Sequence, residues 1–358
     1  MSVRAMEGTC LAALVRMAIP VCKAAERQCP RSGPGRKPDY ADWQITVLIM
    51  IAILARRKSK SAQYRFLYEH RHELQDWLNL SGAFPARSTY FQRYRRAHGT
   101  FQTAIAEQGR KAIREGIADA TTVAVDKSPI RARGPEWHHK DRRRGTIPKG
   151  LHGVDRDSTW TYSEHHRWVQ GYAYEVVVSA GKRGITMPLL ASAATANVSE
   201  HVSFGPKIKQ LPKQVRHVLA DAGYDNNRYG DEIEYAPDGH RTGRRFVCAR
   251  NQRNKPKRRG SSPCSKSILA ARERRQRRLQ FFTGPTGQRL KSRRCQTVEP
   301  FNQWFKSLFE VDHRAWHRGL ANNKTQLLGA LCCYQLLVRF NHRCGRHNGR
   351  VKWMLDTL

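Results

Sequence analysis

Near residue 120 the spacing of apolar residues switches from a three-and-four rhythm to alternating and β-branched runs, and beyond residue 294 it switches back. A chain patterned this way must build a sheet and cover it with helices. An α/β class follows, and purely helical or purely stranded folds are excluded.

Five stretches carry the strand pattern. TTVAVD (121–126) is β-branched, and HRWVQGYAYEVVVSA (166–180) alternates and is rich in aromatics. AGKRG supplies a turn into ITMPLLASA (185–193); VRHVLAD and RRFVCAR (244–250) follow a helix expected over 199–210. Together they predict a mixed five-stranded sheet flanked by helices.

The flanks divide into blocks. Residues 1–36 end in RSGPGRKP and read as a basic arm or linker. Residues 37–117 form a helical domain, with DYADWQITVLIMIAILARR and SAQYRFLYEHRHELQDWLNL on helical spacing. A third helix follows SGAFPA, with Ser88 as its N-cap. That helix carries Tyr90, Arg93, Arg95 and Arg96 after a Gly/Pro turn, the layout of a helix-turn-helix DNA reader; it reads equally as a solvated basic cover for the core. The remainder, 118–345, is the sheet-bearing domain. It holds a basic insertion at about 250–294, read as a surface for the DNA backbone, and 346–358 forms a tail. Within it, NKTQLLGALCCYQLLVRFN is apolar nearly all round and should be buried.

The charge narrows the partner. Lys and Arg number 65 against 29 Asp and Glu, a formal net charge of +36, and such an excess repels itself unless a polyanion is near. Nucleic acid is the expected partner. No membrane role is expected, because the longest apolar run, ITVLIMIAILA, falls short of the ~18 residues a span needs. Nine cysteines without a Cys-x-x-Cys pair signal neither a disulfide framework nor a zinc knuckle, so a cytoplasmic location is expected. The adjacent pairs His138-His139 and His165-His166 diverge on either a strand or a helix, so neither grips one ion easily.

In so basic a chain, carboxylates placed on apolar segments ask for an explanation. Asp126 closes TTVAVD and Asp221 closes VRHVLAD, and side-by-side strands would bring both to one sheet end. Carboxylates that close repel unless a hard divalent cation joins them, which points to Mg²⁺ or Mn²⁺. In QTVEPFNQWFKSLF, a helix buries Val298, Phe301, Phe305 and Leu308 and aligns Glu299, Gln303 and Lys306 on the next face, with Pro300 in its first turn. Such a helix adds a third carboxylate and a lysine for a phosphate. Each acid also has a plainer reading, as turn former or surface residue, and Asp225 competes with Asp221.

VAVD, VLADAGYDNN and QTVEPFNQWFK, in that order around a mixed sheet, resemble the DDE-type insertion-sequence transposases, a branch of the ribonuclease H-like superfamily. GRKPDY, ASAATANVSE and WHRGLANNKTQLLGALCCYQLLVRFN resemble further family segments, so the likeness runs from about residue 36 onward. It implies a ribonuclease H-like domain with Asp126, Asp221 and Glu299 as catalytic ligands of two Mg²⁺ or Mn²⁺ ions. Asp126 would bridge the ions. Lys306 and Gln303 would steady the DNA backbone, Tyr224 or Trp304 would stack on a displaced base, and Arg293 or Arg294 would clamp DNA. The family's tyrosine and arginine just before the glutamate are missing; Gln296 stands three residues before Glu299. The implied partners are the element's terminal inverted repeats and target DNA, bound by a homodimer in a prokaryotic nucleoid. The competing expectation is a non-catalytic nucleic-acid-binding protein derived from such an element.

Overall fold

The computed structural model describes residues 10–29, 38–80, 82–163, 167–251 and 266–357. His165-His166, the ends of the expected basic arm and residues 252–265 of the expected insertion lie outside them.

Helices come first: α1 (Cys10–Gln28), α2 (Asp42–Leu54), α3 (Lys60–Glu69), α4 (Arg71–Leu78), α5 (Arg87–Tyr94) and α6 (His98–Arg114). The sheet region follows as β1 (Thr122–Arg131), α7 (His139–Arg144), β2 (Thr159–Ser163), β3 (Arg167–Ser179), β4 (Pro188–Thr195), α8 (Glu200–Ile208), β5 (His217–Ala220), α9 (Asn227–Glu234) and β6 (Arg245–Cys248). Four helices close the chain: α10 (Lys266–Thr283), α11 (Pro285–Leu308), α12 (Leu320–Arg343) and α13 (Lys352–Thr357).

The sheet is mixed and has six strands, in the order β2-β3-β1-β5-β6 with β4 also paired to β3. The expected five-stranded sheet is therefore corrected. The sixth strand is TWTYS of β2, which pairs antiparallel with Arg167–Gly171 of β3, ahead of the stretch that β4 covers. Its five residues, three of them polar, are too short to stand out by periodicity.

Pairing puts the acids in register. β1 and β5 run parallel with Ala124 opposite Leu219, and continuing that register by two residues sets Asp126 opposite Asp221. Asp126 does not terminate its strand as expected: β1 continues to Arg131, paired only with β3. On the open side beyond Ala124 a missing N–H matters little, which admits Pro129.

The core runs through both flanks. α12 buries nearly its whole length and packs on α2, α6 and β4. Buried glutamines tie these layers, as Gln335 donates to the carbonyls of Ile105 (2.8 Å) and Pro188 (2.7 Å) and Gln108 donates to that of Cys332 (2.9 Å). At Gly109 of α6, a Cβ would sit 2.9 Å from the Leu189 backbone, so helix and strand approach as closely as they do only with glycine there.

Several expectations change. The segment expected as an arm holds α1, whose Leu14, Val15, Val21 and Cys22 enter the core. α5 begins after Ala86, with no side-chain cap from Ser88. Arg93 is not exposed: it is buried and donates to the Tyr40 carbonyl (2.6 Å) and to Asp42. Tyr90 and Tyr94 are buried beside it, while Arg95 and Arg96 remain exposed. Most of the described basic insertion is helix, and its arginines have internal partners. Arg274 and Arg278 pair with Asp231, and Arg275 pairs with Asp225.

Candidate active site

Asp126 points from the middle of β1 toward α11, whose apolar stripe of Val298, Phe301, Phe305 and Leu308 is buried as the spacing predicts. Pro300 does not start that helix. It lies inside, and Pro285 takes the first position instead.

One guanidinium meets three acids. Arg294 Nη2 donates to Asp126 Oδ1 at 2.8 Å and lies 3.9 Å from Asp221 Oδ2, while Nη1 donates to Glu299 Oε1 at 3.1 Å. Its Nε is buried without an acceptor among the described residues. Asn302, about one turn beyond Glu299, donates to Asp126 Oδ2 at 2.7 Å and accepts from the Tyr174 hydroxyl at 2.8 Å. Asp221 accepts the Gly223 amide at 2.9 Å, which fixes its carboxylate at the strand end.

The three acids sit in different surroundings. The Asp126 side chain is 17% exposed, against 47% for Asp221 and 56% for Glu299. Burial pushes Asp126 up to about 7; Arg294 pulls the other way, and Asp221 and Glu299 add to the rise. Desolvation raises Asp221 as well, opposed by Arg294. Burial is therefore the main reason that Asp126 resists ionisation, and the two neighbouring acids add to it.

Asp225 is engaged elsewhere. It accepts from Arg275 (2.5 Å) and from the Asn251 amide (3.0 Å), so Asp221 is the acid that faces Asp126 and Glu299.

The remaining expected residues divide. Lys306 is buried and donates to the Pro129 carbonyl at 2.9 Å on the open side of β1; burial lowers its amine to about 8 against the pull of Asp126. Tyr224 is wholly buried, donates to Glu175 at 3.0 Å and packs its ring edge-on against Phe204, so it does not present a ring to a base. Trp304 is half-buried and packs on the core, Gln303 is exposed, and Arg293 is half-buried. Asn302 escaped sequence reading, although a lone amide inside an apolar stripe was a visible signal. Arg294 was foreseen as a DNA clamp, not as the cation among the acids.

The donor set suits a hard divalent ion: the three carboxylates offer oxygen alone, without thiolate or imidazole. With one guanidinium against three carboxylates, negative charge remains to be balanced. As the side chains lie, no group of three Asp, Glu, His or Cys among the described residues is close enough to hold an ion, and Arg294 stands between them.

A family profile described as transposase DDE domain matches residues 111–336. A search of curated proteins returns no match. Among solved structures, the chain is similar to a "piggyBac transposase synaptic complex with hairpin DNA" at TM-score 0.37 and 11% identity, covering 96% of this chain and 76% of that one. A likeness at that TM-score carries no argument about this chain.

Proposed function

The chain belongs to the transposase DDE domain family, and from that premise we propose that it is the transposase of a prokaryotic insertion sequence, cutting DNA at the element's ends and joining them to a target. The observation that carries this reading is the convergence of Asp126, Asp221 and Glu299 on one cation across two parallel strands and a helix. The fold reading is a ribonuclease H-like domain over about 118–345, preceded by a helical DNA-binding region over 37–117.

Asp126, Asp221 and Glu299 would hold Mg²⁺ or Mn²⁺, two ions by the family's pattern. Bound there, divalent ions neutralise phosphoryl charge, acidify a water and stabilise a leaving oxygen. The chain's own residues do the rest. Asn302 holds the Asp126 carboxylate in a fixed orientation, and the Gly223 amide does so for Asp221. Arg294, displaced from the acids, carries a buried unpaired Nε–H suited to a phosphate oxygen. Lys306 holds β1 to α11 through the Pro129 carbonyl, so its role is to position the strand. Gln303 and Arg293, toward solvent on the same helix, are left to contact the DNA backbone, with Arg95 and Arg96 from α5.

Joining two ends calls for two protomers, so a homodimer on DNA is the assembly proposed. The location proposed is the cytoplasm, on the nucleoid; among the described residues no helix is long and apolar enough to cross a membrane. A second reading, a DNA-binding protein that no longer cleaves, is favoured by one observation, the guanidinium lodged between the acids. Incubating the protein with a supercoiled plasmid that carries the DNA flanking this reading frame separates the two. Cleavage should require Mg²⁺ or Mn²⁺ and vanish with Asp126→Ala; equal cleavage by that variant sinks the proposal.

A further inference from the structure

Away from the three acids, the exposed end of α5, the loop before β2 and the start of α12 border an open cavity of about 390 Å³, lined by Arg95, Asp155, Arg156, Asp157, Arg318 and Asn322 among others. That volume lies at the lower end of the ~300–1,000 Å³ typical of ligand sites, enough for a phosphate with its sugar. The three arginines are exposed, and among the described residues none makes an ion pair or a side-chain hydrogen bond.

The two acids are held by neutral donors. Asp155 is buried and accepts from the Tyr172 hydroxyl (2.7 Å) and the Gly319 amide (3.1 Å); Asp157 accepts from the Leu320 amide (2.8 Å). They cap α12 and hold the loop, leaving the guanidiniums to face the cavity. A fourth cation stands behind: Lys60 Nζ donates to Asn322 Oδ1 at 3.1 Å, and burial followed by the charge of Arg95 lowers its amine. Arg318 lies flat along the loop because residue 153 is glycine. A Cβ there, at φ +75°, would fall 2.5 Å from Nη2.

The three exposed arginines, gathered from three chain segments with Lys60 behind them, outnumber the two carboxylates of the same cavity, and that surplus of positive charge calls for an anion. We infer that this cavity is a second DNA-backbone site, where Arg95, Arg156 and Arg318 grip a phosphodiester outside the carboxylate site. The inference rests on the DNA-binding half of the function proposed above. The cavity connects to the strand that carries Asp126: Tyr172, which donates to Asp155, pairs with Ile130, four residues along β1 from Asp126.

Backbone contacts carry no sequence information, so a duplex of arbitrary sequence is a sufficient probe. Binding of that duplex to the full-length protein in EDTA is followed by fluorescence anisotropy across a salt series. Arg156→Ala and Arg318→Ala are each expected to lower affinity about tenfold and to flatten the slope of log K against log salt by about 0.9, one phosphate's worth. Arg156→Lys should restore most of the slope. Arg156→Ala, at an exposed position, should unfold at the wild-type temperature, which separates a lost contact from a lost fold. Unchanged affinity and slope in that variant overturn the site while the wider function stands, whereas failure of the wild-type protein to bind any duplex brings down both. If Arg156→Ala loses binding of free AMP but keeps the duplex slope, the cavity takes a free nucleotide and the inference fails.

Discussion

Arg294 and Asp126 are 168 residues apart in sequence, yet Nη2 of one donates to Oδ1 of the other at 2.8 Å. Because Arg294 also reaches Glu299 and approaches Asp221, it acts as the internal counter-cation of the site. Arg294→Gln should therefore destabilise the metal-free protein by about 2 kcal/mol, less than the 3–5 of a broken buried pair because Asp126 takes up a proton readily. Added Mn²⁺ should raise the unfolding temperature of the variant more than that of wild type, since no guanidinium has to be displaced. Differential scanning fluorimetry with EDTA and then Mn²⁺ measures both.

The two candidate acids of the AGYDNN loop should separate in activity. Asp221→Asn is expected to reduce plasmid cleavage by roughly 10³-fold or more, as loss of an essential catalytic group does. Asp225→Asn removes the charge that pairs with Arg275 but keeps an acceptor for it and for the Asn251 amide, and should keep cleavage within about tenfold of wild type. The reverse order would reassign the site.

His317 predicts the acid limb of the stability curve. It is buried against Tyr94, whose hydroxyl lies 2.9 Å from Nε2, and burial lowers it from 6.5 to about 3. The unfolded chain then binds more protons than the folded one between those values, so stability is full above pH 6.5 and falls as the pH drops toward 3. The slope from this one group approaches ~1.4 kcal/mol per pH unit. Urea unfolding at several pH values should show His317→Gln with a shallower acid limb than wild type.

Behind the sheet, Lys207 and Glu175 form an ion pair at 2.7 Å with side chains only 3% and 2% exposed. Lys207→Met strands a carboxylate that Tyr224 and Ser203 also address, and should cost roughly 3–5 kcal/mol. Lys207→Met with Glu175→Gln should recover at least half of that loss. Equal losses in the single and double variants would mean that the pair contributes through packing alone. Denaturant midpoints at one pH suffice for the comparison.

Much of the architecture was legible in the chain. The β-branched run of β1 and the alternating run of β3 are long and bury large apolar faces, so periodicity exposes them; α12, apolar on all sides, had to be central. β2 was missed because five residues at a sheet edge bury too little to impose a pattern. The buried side of α5 was missed because Arg93 looks like any other surface arginine until Asp42 and the Tyr40 carbonyl are seen beside it. In the same way, ARERRQRR reads as a free basic surface, although Asp225, Asp231 and Glu234 neutralise much of it.

At the site, the sequence by itself determined which carboxylates follow apolar segments and which helix face carries Glu299. Strand alternation and helical periodicity are local properties, so local residues suffice to reveal them. Only the tertiary structure decided the rest. The β1–β5 register set Asp126 toward Asp221, the packing of α11 carried Arg294 among the acids, and the arginines before β2 and α12 met Arg95. Those outcomes depend on contacts between segments far apart in the chain, and no stretch of sequence contains the distance between two others.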